Sequence, residues 1–490
     1  MSTLSRWSLL AVIGLGVACP REAEPPPDSG PRDTSPPDTD PPDTGSDAPF
    51  FGTFTLTPSE VVPTVVTATW TTAEPVSCTL TYSVEGEPPL TTVEGGAPST
   101  AHEVALVGLP PTAEASLVVS AEASGGLEQS DRQHFQTGAL PAGVSSLTVE
   151  VDDPERVFHG FTVVPLIDDA SGATWVCVFD DAGRAVWAYP ARHGCGRARL
   201  APDGGGLLFH DEDYDPETKK GVGAVTSVAW DGTARWRFEH VGAHHDFAIL
   251  GEDRFVTLGT TTTTLDPGGP GEQVLKGDTL IEFDSAGNER QIWSVFDDLD
   301  PAVVSASDCV QDPATGTWDW SHGNYLTWVP KTGEVLVSLR NIDAIVAVDV
   351  EAGRMTWSLS NTWGTYQAEG EEPLLAWPHS AELVEGGLLI FNQTWASAED
   401  ACSHAAILAL DADAGVATTT WQYKPPECFK VFFLGSAQPL PNGDLLSVFS
   451  QGGVMDEVSP DGAGVARAIS PTGWIVGYAY RTAELRPVAQ

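Results

Sequence analysis

The sequence predicts an all-β protein, a six-bladed β-propeller preceded by a small β-sandwich. Three observations carry this. Residues 50–140 alternate apolar and polar side chains with period two between turn residues, from about residue 145 onward two kinds of hairpin recur, and helical periodicity is nearly absent throughout. The 490 residues are enough for two or three domains with a large core, and the 41% hydrophobic content is that of a globular chain. Against 68 Asp and Glu stand only 24 Lys and Arg, a net charge of −44 with no basic cluster. That balance excludes nucleic acid and an anionic membrane surface as partners.

The chain opens with a secretory signal over residues 1–19. Arg6 supplies positive charge, Leu9 to Val17 form an apolar stretch too short to span a bilayer, and Gly16-Val17-Ala18-Cys19 follows. A Cys directly after small residues resembles the bacterial lipoprotein signal, although Gly16 stands where that signal usually has Leu. The resemblance implies lipidation at Cys19 and a place in the cell envelope, at the outer membrane or in the periplasm. Plain secretion is the alternative, and contact with a membrane is expected only through the lipid. Residues 20–49 contain ten Pro and eight acidic residues, with Pro-Pro-Asp three times, which predicts an extended, disordered tether.

Five short strands are predicted over 50–140, in TVVTATWTT, SCTLTYSV, HEVALVGL, ASLVVSAEA and RQHFQTG. With Trp70 on the second strand and Leu109-Pro110-Pro111-Thr112 before a later one, the stretch resembles a fibronectin type III domain. Ala115 falls where that family usually has Tyr. The likeness carries no catalytic implication; a spacer or docking module is expected.

Over 145–490 one recurring hairpin holds an acidic, Gly-bearing turn and then a Trp: VCVFDDAGRAVW, VAWDGTARW, IEFDSAGNERQIW, VAVDVEAGRMTW and LALDADAGVATTTW, ending at Trp187, Trp236, Trp293, Trp357 and Trp421. Between these copies lies a second hairpin, in GRARLAPDGGGLLF, HDFAILGEDRFVTL, HGNYLTWVPKTGEVLVSL, HSAELVEGGLLIF and SAQPLPNGDLLSVF. Two hairpins make one four-stranded blade, and the Trp spacing leaves room for six. A quinoprotein dehydrogenase shares Trp-bearing repeats but needs eight blades.

Aligning the second hairpins on Leu200, Ile249, Leu326, Leu383 and Leu440 places Gly196, His245, His322, His379 and Ser436 in register. Three of five are His in a chain with 11 His, and equivalent positions of successive blades face one axis. Three His can bind zinc, but no carboxylate shares the register and Arg340 is close by. The set therefore points to an anion, and no metal is expected. After Cys19 six Cys remain; Cys177/Cys195 and Cys402/Cys428 are close in sequence and flank predicted hairpins, with free buried thiols as the alternative.

Asp319-Trp-Ser-His-Gly-Asn324 followed by Val337-Ser-Leu-Arg-Asn341, with His244-His245-Asp246-Phe247 and PHSAELVEGGLLIFN at 378–392, resembles the bacterial arylsulfotransferase family over most of 145–490. The resemblance implies a six-bladed propeller and sulfuryl transfer from an aryl sulfate to a phenol, without phosphoadenosine-phosphosulfate, cofactor or metal. It implies that His379 is the nucleophile, His245 and His322 the supporting histidines (with His244 the fallback for His245) and Arg340 the sulfate binder. Asn324 is a further donor to substrate or an orienter of His322. It also implies a Cys402–Cys428 staple over the funnel, and the family includes homodimers. Phe391-Asn392-Gln393 and Ser403-His404 depart from the family's F-D-N and S-R, and are expected near the rim or a blade interface. Acceptor preference is expected from loops 211–222, 259–276 and 360–376, with Tyr214, Trp363 and Tyr366 either stacking on a phenol or covering blade edges. The alternative to an enzyme is a non-catalytic propeller that binds anionic or glycan ligands.

Overall fold

The computed structural model describes residues 49–215, 220–265, 272–313, 315–369, 373–394 and 401–485. The signal, Cys19 and the tether up to residue 48 lie outside them, as do the side chains of 213–220 and with them Tyr214.

Residues 55–136 form two facing sheets. Thr55–Pro58, Val66–Val76 and Ser99–Leu106 make one; Leu90–Val93, Cys78–Val84 and Glu114–Ala123, with Gly126–Gln129 and Gln133–Gln136, make the other. Period-two patterning sends Trp70, Leu80, Tyr82, Leu117 and Val119 into the shared core, each at most 3% exposed.

Six antiparallel blades follow. The second runs through His193–Leu200, Gly206–Asp215, Lys220–Ala229 and Ala234–Val241. The third runs through His244–Gly251, Arg254–Leu265, Gln273–Phe283 and Glu289–Ser294, and the fourth through Gly323–Val329, Glu334–Leu339, Ala344–Asp349 and Arg354–Ser360. The fifth comprises Pro378–Val384, Gly387–Asn392, His404–Asp411 and Val416–Tyr423; the sixth Ser436–Pro439, Leu445–Phe449, Val454–Val458 and Gly464–Ile469. The first blade takes Phe161–Asp168, Thr174–Phe179 and Ala185–Ala191 from its own stretch, and its inner edge from the C-terminal strands Trp474–Val476 and Tyr480–Thr482. Thr148–Val151 pairs with the outer strand of the sixth blade, so both ends of the propeller are sewn into the ring.

The Trp-bearing hairpins are the outer halves of the blades. Trp187, Trp236, Trp293, Trp357 and Trp421 each sit opposite the last regular residue before a β-bulge. A bulge at the same point in every blade bends the outer strand and raises its twist, while the large Trp fills the widening gap between blades. The sandwich shares a core with the first two blades: Val62, Val65 and Val107 pack with Val163, Trp187 and Trp230. Ser59 Oγ donates to Asp231 O at 2.5 Å, and Gly232 (φ 85°) lies where a Cβ would strike Val61.

Beneath the funnel the axis is polar. Arg197 makes two hydrogen bonds to the Asp246 carboxylate, at 2.9 and 3.0 Å, with the Tyr325 and Tyr478 rings 4.1 and 4.8 Å from its guanidinium carbon. Asp246 also accepts from Leu326 N at 2.8 Å, which joins three blades through one carboxylate. Both side chains are almost fully buried. Asp246→Ala leaves the Arg197 charge buried without its partner, and urea denaturation is expected to show a loss of about 3–5 kcal/mol. A loss below about 1 kcal/mol contradicts this role.

Cys402 and Cys428 are bonded to each other. Cys177 and Cys195 are not: both are buried free thiols, which corrects that pairing. Along Thr174–Phe179, Val176 and Val178 face the cluster that contains Cys195, whereas Cys177 faces the opposite cluster with Val164 and Val448. Side chains alternate across a strand, so the two sulfurs lie on opposite faces of one sheet.

Candidate active site

In five successive blades the inner strand is entered at or near a residue with left-handed backbone: Gly194 (φ 61°), His245 (62°), His322 (51°), Trp377 (55°) and Leu434 (57°). For residues with a Cβ this conformation is unfavourable and needs surrounding support. His245 N donates to Glu212 Oε1 at 2.7 Å, and the His322 and Trp377 carbonyls accept from Arg340 N and Gln393 N at 3.1 and 3.2 Å. In the second to fifth blades the strand pairing shifts register at or beside this kink.

These contacts correct the register read from the sequence. His322 is level with Trp377, and Asn324, not His322, is level with His379. Anchoring on Leu326 and Leu383 misled because Leu326 lies three residues before the end of its hairpin strand at Val329, and Leu383 one before Val384.

The three histidines meet nonetheless. His245, His322, His379 and Arg340 line one open cavity of about 350 Å³, together with Glu212, Ile167, Phe432 and Phe433. The His245 and His322 rings stand 5.0 Å apart at 75°. His379 is 2% exposed, and its Nδ1 lies 2.8 Å from the Tyr478 hydroxyl. Burial, with His322 and the Arg340 guanidinium nearby, drives its pKa well below 6.5, which favours the neutral imidazole.

His322 holds its Nδ1 2.6 Å from Asp319 Oδ2, and Lys276 Nζ is 3.2 Å from the other oxygen of that carboxylate. Burial opposes the Asp319 charge, but His322 and Lys276 outweigh it and hold the carboxyl below its usual range. The Nδ1 proton of His322 is thus directed to Asp319, leaving Nε2 for chemistry.

His244 stands behind His245, its Nε2 3.1 Å from Asp278 Oδ1 and its Nδ1 2.9 Å from His245 Nδ1. Burial works against charge on His244, yet Asp278 overcomes it and raises the pKa. Burial and the neighbouring histidines, His244 first, push His245 well below 6.5. When protonated beside Asp278, His244 donates from Nδ1 to Nδ1 of His245, which places the proton of His245 on Nε2.

Arg340 lies flat on Trp377, 3.6 Å from the ring centroid. Its Nε donates to Gln393 Oε1 at 3.2 Å and its Nη1 to Asn341 Oδ1 at 2.7 Å, while Asp308 is 3.5 Å away. Burial lowers its pKa, against the pull of Asp308, Asp319 and Asp343, but a guanidinium remains charged. Gln393 bridges neighbouring blades, its Oε1 accepting from Arg340 and its Nε2 donating to Leu434 O at 2.9 Å, so that departure lies at a blade interface and in contact with the site.

Asn324 does not line the cavity. It is fully buried, and its amide donates to Pro378 O at 3.2 Å, which corrects its assignment as a substrate contact. Trp363 and Tyr366 pack on blade clusters. The aromatic wall of the mouth is instead Phe432 and Phe433, on the segment held by the Cys402–Cys428 bond and by Val431 N donating to Ser403 Oγ at 2.8 Å. Tyr478, Glu212, Asp319 and Asp278 were not singled out from the sequence. Asp319 was within reach, because it lies three residues before His322 in the quoted motif. The others are brought in by distant strands.

A model of the family described as arylsulfotransferase (ASST) matches residues 168–460. No curated protein matches the chain. Among solved structures, a catalytically inactive virginiamycin B lyase from Staphylococcus aureus is similar at 10% identity, over 55% of this chain and 72% of that one, with a TM-score of 0.28. A Kuenenia stuttgartiensis hydrazine synthase is 13% identical over 62% and 78% (TM-score 0.26), and a luciferin-regenerating enzyme 10% identical over 68% and 97% (TM-score 0.33).

Proposed function

The chain belongs to the arylsulfotransferase family, and on that premise we propose that it transfers a sulfuryl group from an aryl sulfate to a phenol through a covalent N-sulfohistidine at His379. The observation that carries this reading is the convergence of a neutral buried imidazole, two further histidines and one arginine on a single cavity.

Sulfuryl transfer resembles phosphoryl transfer, with charge spread over three equatorial oxygens and the nucleophile in line with the leaving oxygen. Arg340 and the Nε2–H of His245 hold those oxygens. A ring nitrogen lone pair of His379 attacks sulfur, the S–O bond to the aryl group breaks, and its electron pair leaves on the phenolate. His322, with Asp319 against Nδ1, gives the phenolate a proton from Nε2. In the second half an acceptor phenol returns a proton to His322 while its oxygen attacks sulfur and frees His379. No phosphoadenosine-phosphosulfate enters this scheme. For the cell, we propose export by the N-terminal signal with a lipid anchor at Cys19.

The test is release of 4-nitrophenol from 4-nitrophenyl sulfate by the protein lacking residues 1–19. Release accelerated by added phenol supports the reading. No release across aryl sulfates and phenols, from folded protein, supports an anion-binding propeller instead. Because His379 is held neutral well below pH 6.5, kcat/KM for this donor is expected to persist as pH falls through 6.5. An acid limb centred at or above 6.5 contradicts a neutral His379.

A further inference from the structure

The strands that close the ring flank Tyr478, which enters the centre of the molecule beside His379. Gly477 N donates to Pro165 O and Tyr478 N to Gly196 O, both at 2.8 Å, which fixes the residue between the first and second blades. Its ring packs on Arg197 and edge-on to Tyr325, and it is completely buried. Its hydroxyl lies 2.8 Å from two atoms, the backbone carbonyl oxygen of Asn324 and Nδ1 of His379.

We propose that Tyr478 is a positioning residue that sets the tautomer of His379, so that Nδ1 carries the proton and Nε2 presents the lone pair to sulfur. The role in transfer rests on the sulfotransferase reading; the tautomer does not. The Asn324 carbonyl can only accept, so a 2.8 Å contact with an oxygen requires the Tyr478 proton to point at it. Burial keeps that proton on Tyr478, whose pKa is raised far above 10. With its only proton committed, the hydroxyl can meet His379 Nδ1 at 2.8 Å only by accepting, so the proton of that bond belongs to Nδ1. A neutral imidazole has one N–H, and Nε2 is left as the nucleophile. The opposite tautomer would set the Tyr478 and Asn324 oxygens against each other without a hydrogen between them. The Gly435 carbonyl, which also favours a ring N–H of His379, is the competing acceptor.

The arrangement ties chemistry to ring closure. The group that prepares His379 arrives on the segment between the two C-terminal strands, and the carbonyl that orients it belongs to Asn324, the fourth-blade counterpart of His379. This is also why the Asn324 position bears on the site although its side chain does not reach the cavity.

The test is the ¹⁵N spectrum of the His-labelled protein, with the His379 resonances assigned by their loss in His379→Asn. A protonated Nδ1 with a bare Nε2 is expected in the native protein. An Nε2–H tautomer, or an even mixture, overturns the proposal, and this readout stands whether or not any sulfate is transferred. Tyr478→Phe keeps the ring packing and removes both hydrogen bonds. It is expected to shift His379 toward mixed tautomers and to lower kcat about 10–100-fold while KM for the donor stays within about twofold. An unchanged tautomer or an unchanged kcat in that variant contradicts the role. A native Nδ1–H tautomer in a protein that transfers no sulfate would instead sink the sulfotransferase reading.

Discussion

His379→Ala is expected to abolish transfer between aryl sulfate and phenol, lowering kcat by about 10⁴-fold or more while leaving the thermal unfolding midpoint nearly unchanged. The size follows from the role. Without the imidazole there is no covalent intermediate, and the remaining groups bind the sulfate without a nucleophile. Stability is expected to hold because His379 stands at the edge of an open cavity, where its ring bonds to the Tyr478 hydroxyl. Steady-state release of 4-nitrophenol, with added phenol, measures it. Activity retained within tenfold of native rules out His379 as the nucleophile.

Arg340→Lys is expected to lower kcat/KM about 10²–10³-fold, and Arg340→Ala at least as much. Arginine here does what lysine cannot. Its Nε and Nη1 are held by Gln393 and Asn341, and its flat face lies on Trp377, which fixes the plane in which the remaining N–H groups would meet the sulfuryl oxygens of the proposed reaction. A lysine ammonium keeps the charge but loses the plane and the paired donors. Because those oxygens gain charge as the S–O bond opens, the loss should fall on kcat at saturating donor as well as on KM. A lysine variant with native kcat/KM contradicts the assignment.

Most of the architecture was legible because the chain repeats. An acidic, Gly-bearing turn followed by Trp marks the outer hairpin of five blades, and in each the Trp adjoins a bulge. The sixth copy lacks the Trp, yet its Asp-Gly turn still joins Val454–Val458 to Gly464–Ile469. What repeats do not carry is depth along a strand. The hairpins turn at different distances from the axis, so aliphatic anchors put His379 level with His322 when it stands level with Asn324.

Four of the cavity's side chains were visible because His is rare and Arg340 adjoins a motif. Their partners were not. Glu212 reaches His245 from another blade, Asp278 reaches His244 from across its own, and Tyr478 arrives from a segment 99 residues beyond His379. The same holds for the mouth. Phe432 and Phe433 follow the Cys402–Cys428 bond, in a segment that showed no period and no motif. The Cys177/Cys195 pair failed for a reason the sequence contained: Cys177 sits between Val176 and Val178, which face the cluster of Cys195, so it faces the other way.

The charges of the site form a consistent set. Two carboxylates, Asp319 and Asp278, each hold one histidine, while among the described residues no carboxylate lies within 3.5 Å of the rings of His379 and His245, the two histidines with strongly lowered pKa values. Environment thus divides like residues into those held by a carboxylate, which the proposed mechanism uses to manage protons, and those kept neutral, which it uses to attack or to bind.

In the proposed mechanism sulfate passes through His379. Protein incubated with 4-nitrophenyl sulfate in the absence of phenol, quenched under alkaline conditions and digested, is to be examined by mass spectrometry for an added SO₃ group. One such group per chain is expected, on the peptide containing His379, and it disappears when phenol is added before the quench. Release of 4-nitrophenol with no adduct on that peptide, or an adduct on another residue that phenol discharges, would contradict that mechanism.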